Sequence, residues 1–315
     1  MQMQEFDPLT GLYPHANGGS EMMYRSLMSR LDQKYKDGIQ FINSRPKDFL
    51  WHKKKILICH DHHSDPDVEK LNDQEYRKNF SKIVFVSNTQ YQMFRAYKGI
   101  DYHESEVVKN AIVPIENHVK PTDCLNLIYH TTPHRGLNIV VPVFIELCKH
   151  FKFPIHLDVY SSFDIYGWGN RNLPYEETYE LCRNHPNITY HGYQPNSVVR
   201  EALKKAHVFA YPNIWPETSC IAAIEAMSAG CLVICPDHDA LAETVGDLGI
   251  CYRYNEDHQA HADMFANILY NVLPKYHTDS IITLANNARS YTNEMYSWDR
   301  RISQWNRICE EVLHG

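Results

Sequence analysis

Short apolar, β-branched runs recur along this chain between longer stretches of helical period, and that alternation fixes the fold class more tightly than any other feature. Strands fed by crossover helices pair in parallel and are buried on both faces, so the chain reads as α/β with doubly wound sheets. In the first third the spacing predicts strands over Gly38–Asn43, Lys54–His60, Lys82–Ser87 and Glu106–Val113, with a short one at Met1–Phe6. Helices are expected over Ser20–Lys36 and Thr89–Gly99. A second series follows: Leu125–His130, Ile155–Tyr160, Ile188–His191, Val208–Tyr211, Cys231–Cys235 and Ile250–Tyr252. One core rarely grows past ~250 residues, so 315 residues call for two domains. The polar stretch Pro114–Asp123, with two prolines, suits the linker. We therefore expect an N-terminal domain over residues 1–117, a C-terminal domain over 118–296, and a final amphipathic helix over 297–315. In that helix Trp298, Ile302, Trp305, Cys309 and Val312 form one apolar stripe.

The charge pattern removes several function classes. Net charge is −7 and the Lys and Arg residues are scattered, which gives no electrostatic footprint for nucleic acid or an anionic membrane. No apolar run approaches the ~18 residues of a membrane span, and the N-terminus lacks the features of a signal peptide. Nine cysteines in no metal-type spacing read as reduced thiols, so a cytoplasmic location is expected.

The segment Trp215–Gly230, followed at once by an apolar strand, carries the most chemistry. Ser219 is a good N-cap, Ala-rich sequence continues a helix, and Gly230 stands where a glycine would end it. Ligands of open α/β sheets bind outside the carboxyl ends of strands, where helix N-termini offer unpaired N–H groups to anions. The amides near Cys220 and Ile221 are thus a candidate phosphate cradle. Glu225 lies about one turn beyond Ile221, within reach of ribose hydroxyls, and Glu217 precedes the helix, free to meet a sugar. On spacing alone, an ordinary capped helix with two solvated carboxylates fits equally well.

Glu217 and Glu225, with seven residues between them and followed by Ala-Met-Ser-Ala-Gly and a strand, resemble the Glu-x7-Glu donor motif of retaining GT-B glycosyltransferases, especially glycosyltransferase family 4. The resemblance implies two Rossmann-like domains facing a cleft, with the terminal helix crossing back to the first. It implies that Glu217 contacts the transferred sugar and Glu225 the ribose. The chain departs from the family at Thr218, Ser219 and Cys220, where Gly, an aromatic and Gly are commonest. Asn17-Gly18-Gly19-Ser20 resembles the Gly-rich turn opening the first helix, where backbone approaches donor phosphates, although it also fits a plain turn into a Ser-capped helix. Arg135-Gly136 matches the family's Lys-Gly position at the diphosphate, while His130 or a neighbour occupies the position of the earlier Arg. Asp239–Glu243 resembles the Pro-Glu stretch after the next strand.

Cys59–Asp67 crowds three histidines and three aspartates at the end of a strand. Metal binding is one reading, since imidazole and carboxylate are metal ligands, but a tetrahedral site normally draws on separated segments. In the family frame His60-Asp61 matches a His-Asp whose imidazole faces the donor sugar, able to bond a hydroxyl or shift a proton. The expected function is transfer of a sugar from a nucleotide-diphosphate donor to a glycan, another small molecule or a lipid-linked acceptor, with no metal or other cofactor. In that scheme the donor binds the C-terminal domain and the acceptor the N-terminal one, and closure about the linker expels water. His60, Arg135 and Glu217 are the candidate catalytic residues. Gly18, Gly19, Arg135, Glu217, Ser219, Cys220, Ile221 and Glu225 are the candidate donor-binding ones. A GT-B phosphorylase or epimerase and a degenerate nucleotide- or glycan-binding protein are the competing readings.

Overall fold

A computed structural model describes residues 6–315. The chain divides into two compact units: one of residues 1–112, 217–221 and 296–315, the other of 113–216 and 222–295. The strand expected at Met1–Phe6 lies outside the described residues except for Phe6.

In the first unit α1 (Gly19–Met28), α2 (Gln33–Gly38), β1 (Ile39–Asn43), β2 (Lys54–Cys59), α3 (Gln74–Arg77), β3 (Lys82–Phe85), α4 (Asn88–Lys98) and β4 (Ser105–Val107) follow in order. The sheet is parallel, in the order β1-β2-β3-β4. Side chains alternate between its faces, as the two-residue strand period requires. Ile39, Phe41, Ile56, Ile58 and Val84 share one core with α1, α2 and the terminal helix, whereas Ile42, Leu57, Cys59, Ile83 and Phe85 share another with Val68, Leu71 and Phe94. The single helix expected over Ser20–Lys36 is two, because the Asp32 side chain accepts from the amide of Lys34 and starts α2 anew. Beyond Val107 the expected fourth strand gives way to irregular chain, with Ile112 bridging to Ser297.

The second unit holds β5 (Leu125–Tyr129), α5 (Leu137–His150), β6 (Ile155–Val159), α6 (Glu176–Asn184), β7 (Ile188–Tyr190), α7 (Asn196–Lys205), β8 (Val208–Ala210), α8 (Ile221–Ser228), β9 (Leu232–Pro236), α9 (Leu241–Thr244), β10 (Ile250–Tyr252), α10 (His258–Val272) and α11 (Asp279–Met295). α8 starts in residue 221 of the first unit. The six parallel strands run in the order β10-β9-β8-β5-β6-β7. The terminal helix α12 (Trp298–His314) returns to the first unit and places Trp298, Trp305, Ile308, Cys309 and Val312 in its core. Two such parallel-sheet, Rossmann-like domains make the GT-B architecture. No helix of the described residues is long and apolar enough to cross a membrane.

Candidate active site

In the second sheet β5 leads outward to β6 on one side, whereas β8, its other neighbour, leads to β9 and β10 in the opposite direction. That reversal opens a crevice at the carboxyl ends of β5 and β8, the usual ligand position in such sheets. The loop after β5 turns through Pro133–Arg135 into α5, whose N-cap Gly136 makes no side-chain bond. Its first amides therefore keep their capacity for an anion. Gly136 is obligatory there: φ is +117°, and a Cβ would lie 2.2 Å from the carbonyl oxygen of Pro212 in the β8 loop. Arg135 Nη1 lies 3.5 Å from the hydroxyl of Tyr211.

Four buried polar atoms gather at the carboxyl ends of β5 and β6: His130 Nε2, Thr131 Oγ1, His134 Nδ1 and Ser161 Oγ. None has a hydrogen-bond partner among the described residues. Buried polar groups are nearly always paired, and an orphan costs about 1–3 kcal/mol, so this cluster fits a polar ligand. Burial holds both imidazoles down at about 3, with Arg135 and Arg171 contributing at His134, so both are neutral at pH 7. Of these four only His130 stands out in the sequence, at the position of the family's earlier Arg. The remaining signal was their place just beyond the ends of two apolar strands.

Glu225 is buried on α8. Its Oε1 accepts from Arg200 Nη1 and its Oε2 from Asn196 Nδ2, each at 2.8 Å. Each oxygen keeps a second lone pair, so a ribose hydroxyl would have to share the carboxylate with α7. Residues Cys231 and Gly230 close α8 by donating to Ala226 and Met227 (2.9 and 2.8 Å), with Gly230 left-handed at φ +67° as its position after the helix predicts. The helix begins at Ile221, so Cys220, not Ser219, stands immediately before it.

The segment 217–221 belongs to the first unit, and there it meets the other candidates. Glu217 and Cys220 are buried. The Thr218 hydroxyl donates to the carbonyl of His60 at 2.7 Å. Ile221 packs on the first core, and a Cβ on Gly19 would lie 3.1 Å from its Cδ1. Gly18, not Ser20, is the N-cap of α1, again without a side-chain bond. The structure thus gathers Gly19, His60 and the Glu217–Ile221 segment in one unit, and holds Arg135 and Glu225 in the other.

His60 ends β2 in a network that fixes its tautomer. Asn43 Nδ2 donates to the carbonyl of Thr10 at 3.1 Å, which orients Asn43 Oδ1 toward His60 Nε2 at 3.2 Å. An amide oxygen only accepts, so Nε2 carries the proton and Nδ1 keeps its lone pair. Ser44, left-handed at φ +46°, accepts from the amides of His60 and Asp61 (2.8 and 3.3 Å). Burial lowers His60 to about 4. Beside it Asn43, His60, Asn110, Trp298 and Trp305 line a pocket of about 30 Å³. The carboxylates of the His-rich stretch face a cation instead: Arg45 Nε lies 3.4 Å from Asp61 and 2.9 Å from Asp67. His62 Nδ1 bonds Ser64 Oγ at 2.7 Å, and the ring of His63 stacks on Tyr97.

Fold and crevice together define the GT-B architecture, the fold of glycosyltransferases to which this chain is similar. Residues 130–277, which include the crevice and α8, match the family model described as glycosyl transferases group 1. Comparison of the sequence with curated proteins finds no match. Among solved structures, a glycosyltransferase from Rickettsia africae is similar with a TM-score of 0.70 at 16% identity, covering 95% of this chain and 83% of that one. Anabaena HepE in complex with UDP-glucose has a TM-score of 0.66 at 14% identity, over 82% of this chain and 72% of that one. Sucrose-phosphate synthase from Thermosynechococcus elongatus has a TM-score of 0.63 at 14% identity, over 83% and 68%.

Proposed function

We propose that the chain is a retaining glycosyltransferase of the family 4 type, taking its sugar from a nucleotide-diphosphate donor held by the second unit and passing it to an acceptor on the first. The observation that carries this reading is the set of buried, unpartnered polar atoms at the switch point, beside Arg135 and the uncapped start of α5, within the stretch that matches the family model. Arg135 and the α5 amides meet the charge that develops on the departing diphosphate, which is preorganised electrostatic stabilisation. Glu217 contacts the sugar, and His60, neutral with Nδ1 as acceptor, orders a hydroxyl of donor or acceptor. A uridine donor is the first to test, because related HepE structures hold UDP and UDP-glucose. The charge is met by these groups without a metal.

The experiment is a thermal-shift screen of nucleoside diphosphates and their sugars, followed by donor turnover with and without chelator. A native-state ligand raises the melting temperature. Turnover that survives chelation and is abolished in Glu217→Ala supports the reading, and an unchanged anomeric configuration by proton NMR supports retention. A binding protein without turnover is the second reading, favoured by Glu225 having both oxygens engaged by Arg200 and Asn196. Nucleotide binding with no transfer or hydrolysis for any donor would establish it.

A further inference from the structure

At the opposite, amino-terminal edge of the second sheet, the residues just before β5, β8 and β9 surround a pocket of about 200 Å³. His118, Lys120, His207, His277 and Arg289 line it, and no carboxylate does. Gly230 brings the two cationic side chains together, since a Cβ there would lie 3.7 Å from Arg289 Cδ and 3.8 Å from Lys120 Cε. Lys120 Nζ donates to the carbonyls of Ala206 and Leu203 at the end of α7 and to Cys231 Sγ at 3.7 Å, so it offers an anion its charge rather than a spare N–H. Arg289 Nη2 donates to the carbonyls of Glu116 (2.7 Å) and Ile115 (3.4 Å), while its buried Nε has no partner. Neither side chain pairs with a carboxylate among the described residues.

The charge does not balance. The ends of α7 and α8 each contribute only about half a negative charge, and no carboxylate is there to answer the two cationic side chains. Buried or half-buried charges persist when paired, and an unpaired one is costly. Burial and then repulsion from Arg289 work against the Lys120 ammonium, and burial, Lys120 and Arg289 all disfavour a charge on His118. A bound anion would relieve each of these.

We propose that this pocket binds a phosphate-type oxyanion, free or as the phosphoryl group of a small molecule, at a second site on the far edge of the sheet from the crevice. Arg289 supplies the Nε–H and Lys120 the neighbouring charge, a pairing that suits a tetrahedral oxyanion. Calorimetric titration of the full chain with inorganic phosphate, and separately with glucose 6-phosphate, tests it. Saturable binding is expected, weakened about tenfold or more in Arg289→Gln, equivalent to ~1.4 kcal/mol, and unchanged in Arg135→Gln. Asn286→Asp, at an exposed position on the pocket wall, places a carboxylate beside the anion and should weaken binding comparably without threatening the fold. Tighter binding of glucose 6-phosphate identifies a phosphomonoester, and tighter or equal binding of phosphate the free ion. Absence of saturable binding, indifference to both pocket substitutions, or loss in Arg135→Gln instead would overturn the proposal.

Discussion

Gly136→Ala tests whether the turn into α5 is as constrained as its geometry states. The new Cβ would stand 2.2 Å from the Pro212 carbonyl oxygen, about 1 Å inside the ~3.3 Å at which carbon and carbonyl oxygen normally meet. Relieving the overlap moves either the β5 loop or the β8 loop, an overpacking cost of about 1–3 kcal/mol. Left-handed backbone at φ +117° adds roughly 1–2 kcal/mol for a residue with a Cβ. The total is roughly 2–5 kcal/mol. Gly246, in the same unit, has φ +45° and nothing within 4 Å of a built Cβ, so Gly246→Ala bears the backbone term alone. For a unit of this size ~1 kcal/mol shifts Tm by about 2–4 °C. Scanning calorimetry should therefore show the transition of the second unit falling by roughly 4–20 °C in Gly136→Ala and roughly 2–8 °C in Gly246→Ala. Nucleotide binding should weaken in the first variant only. Equal losses of Tm in the two variants would show that the close approach to Pro212 contributes nothing.

Two further outcomes follow from buried charge. Burial holds His60 and His207 near 4 and His130 and His134 near 3, below the ordinary 6.5. Below pH 6.5 the unfolded chain takes up protons that the native chain refuses. Stability is thus full above that pH and is lost as pH falls toward 4, by up to about 1.4 kcal/mol per pH unit for each histidine. Urea unfolding should show this decline beginning near pH 6.5, with a shallower slope in His207→Gln; a flat profile down to pH 5 refutes it. Arg200→Leu leaves the buried Glu225 carboxylate with Asn196 alone and should cost about 3–5 kcal/mol by denaturant unfolding. Adding Glu225→Gln should recover part of that loss, and no recovery would mean that Arg200 acts through packing.

What the sequence disclosed was periodicity and local chain chemistry. The β-branched runs located the strands to within a residue or two at most ends, and Gly230 marked the close of α8 because its left-handed role depends on the adjacent helix alone. Partnerships made through tertiary packing were hidden. Nothing near Glu225 shows that Asn196 and Arg200, a helix and a strand earlier, hold both its oxygens. The Nε2–H tautomer of His60 depends on Asn43 and, through it, on Thr10, residues distant in sequence. The carboxylates of the His-rich stretch turn to Arg45, whose importance no local pattern signals. Lys120 stood in the polar linker and Arg289 within a helix, and only folding places them on either side of one glycine.

The first unit is stitched from three separate stretches of chain, the last beginning at residue 296. One face of its sheet is covered partly by Trp298, Trp305, Ile308 and Val312, which leave the ribosome about two hundred residues after β4. At about 5–20 residues per second, that apolar face waits roughly ten to forty seconds after β4 emerges before its cover arrives. A stop ahead of α12 would leave it bare for good, so nascent-chain chaperones and quality-control proteases should meet this protein through the sheet of its first unit.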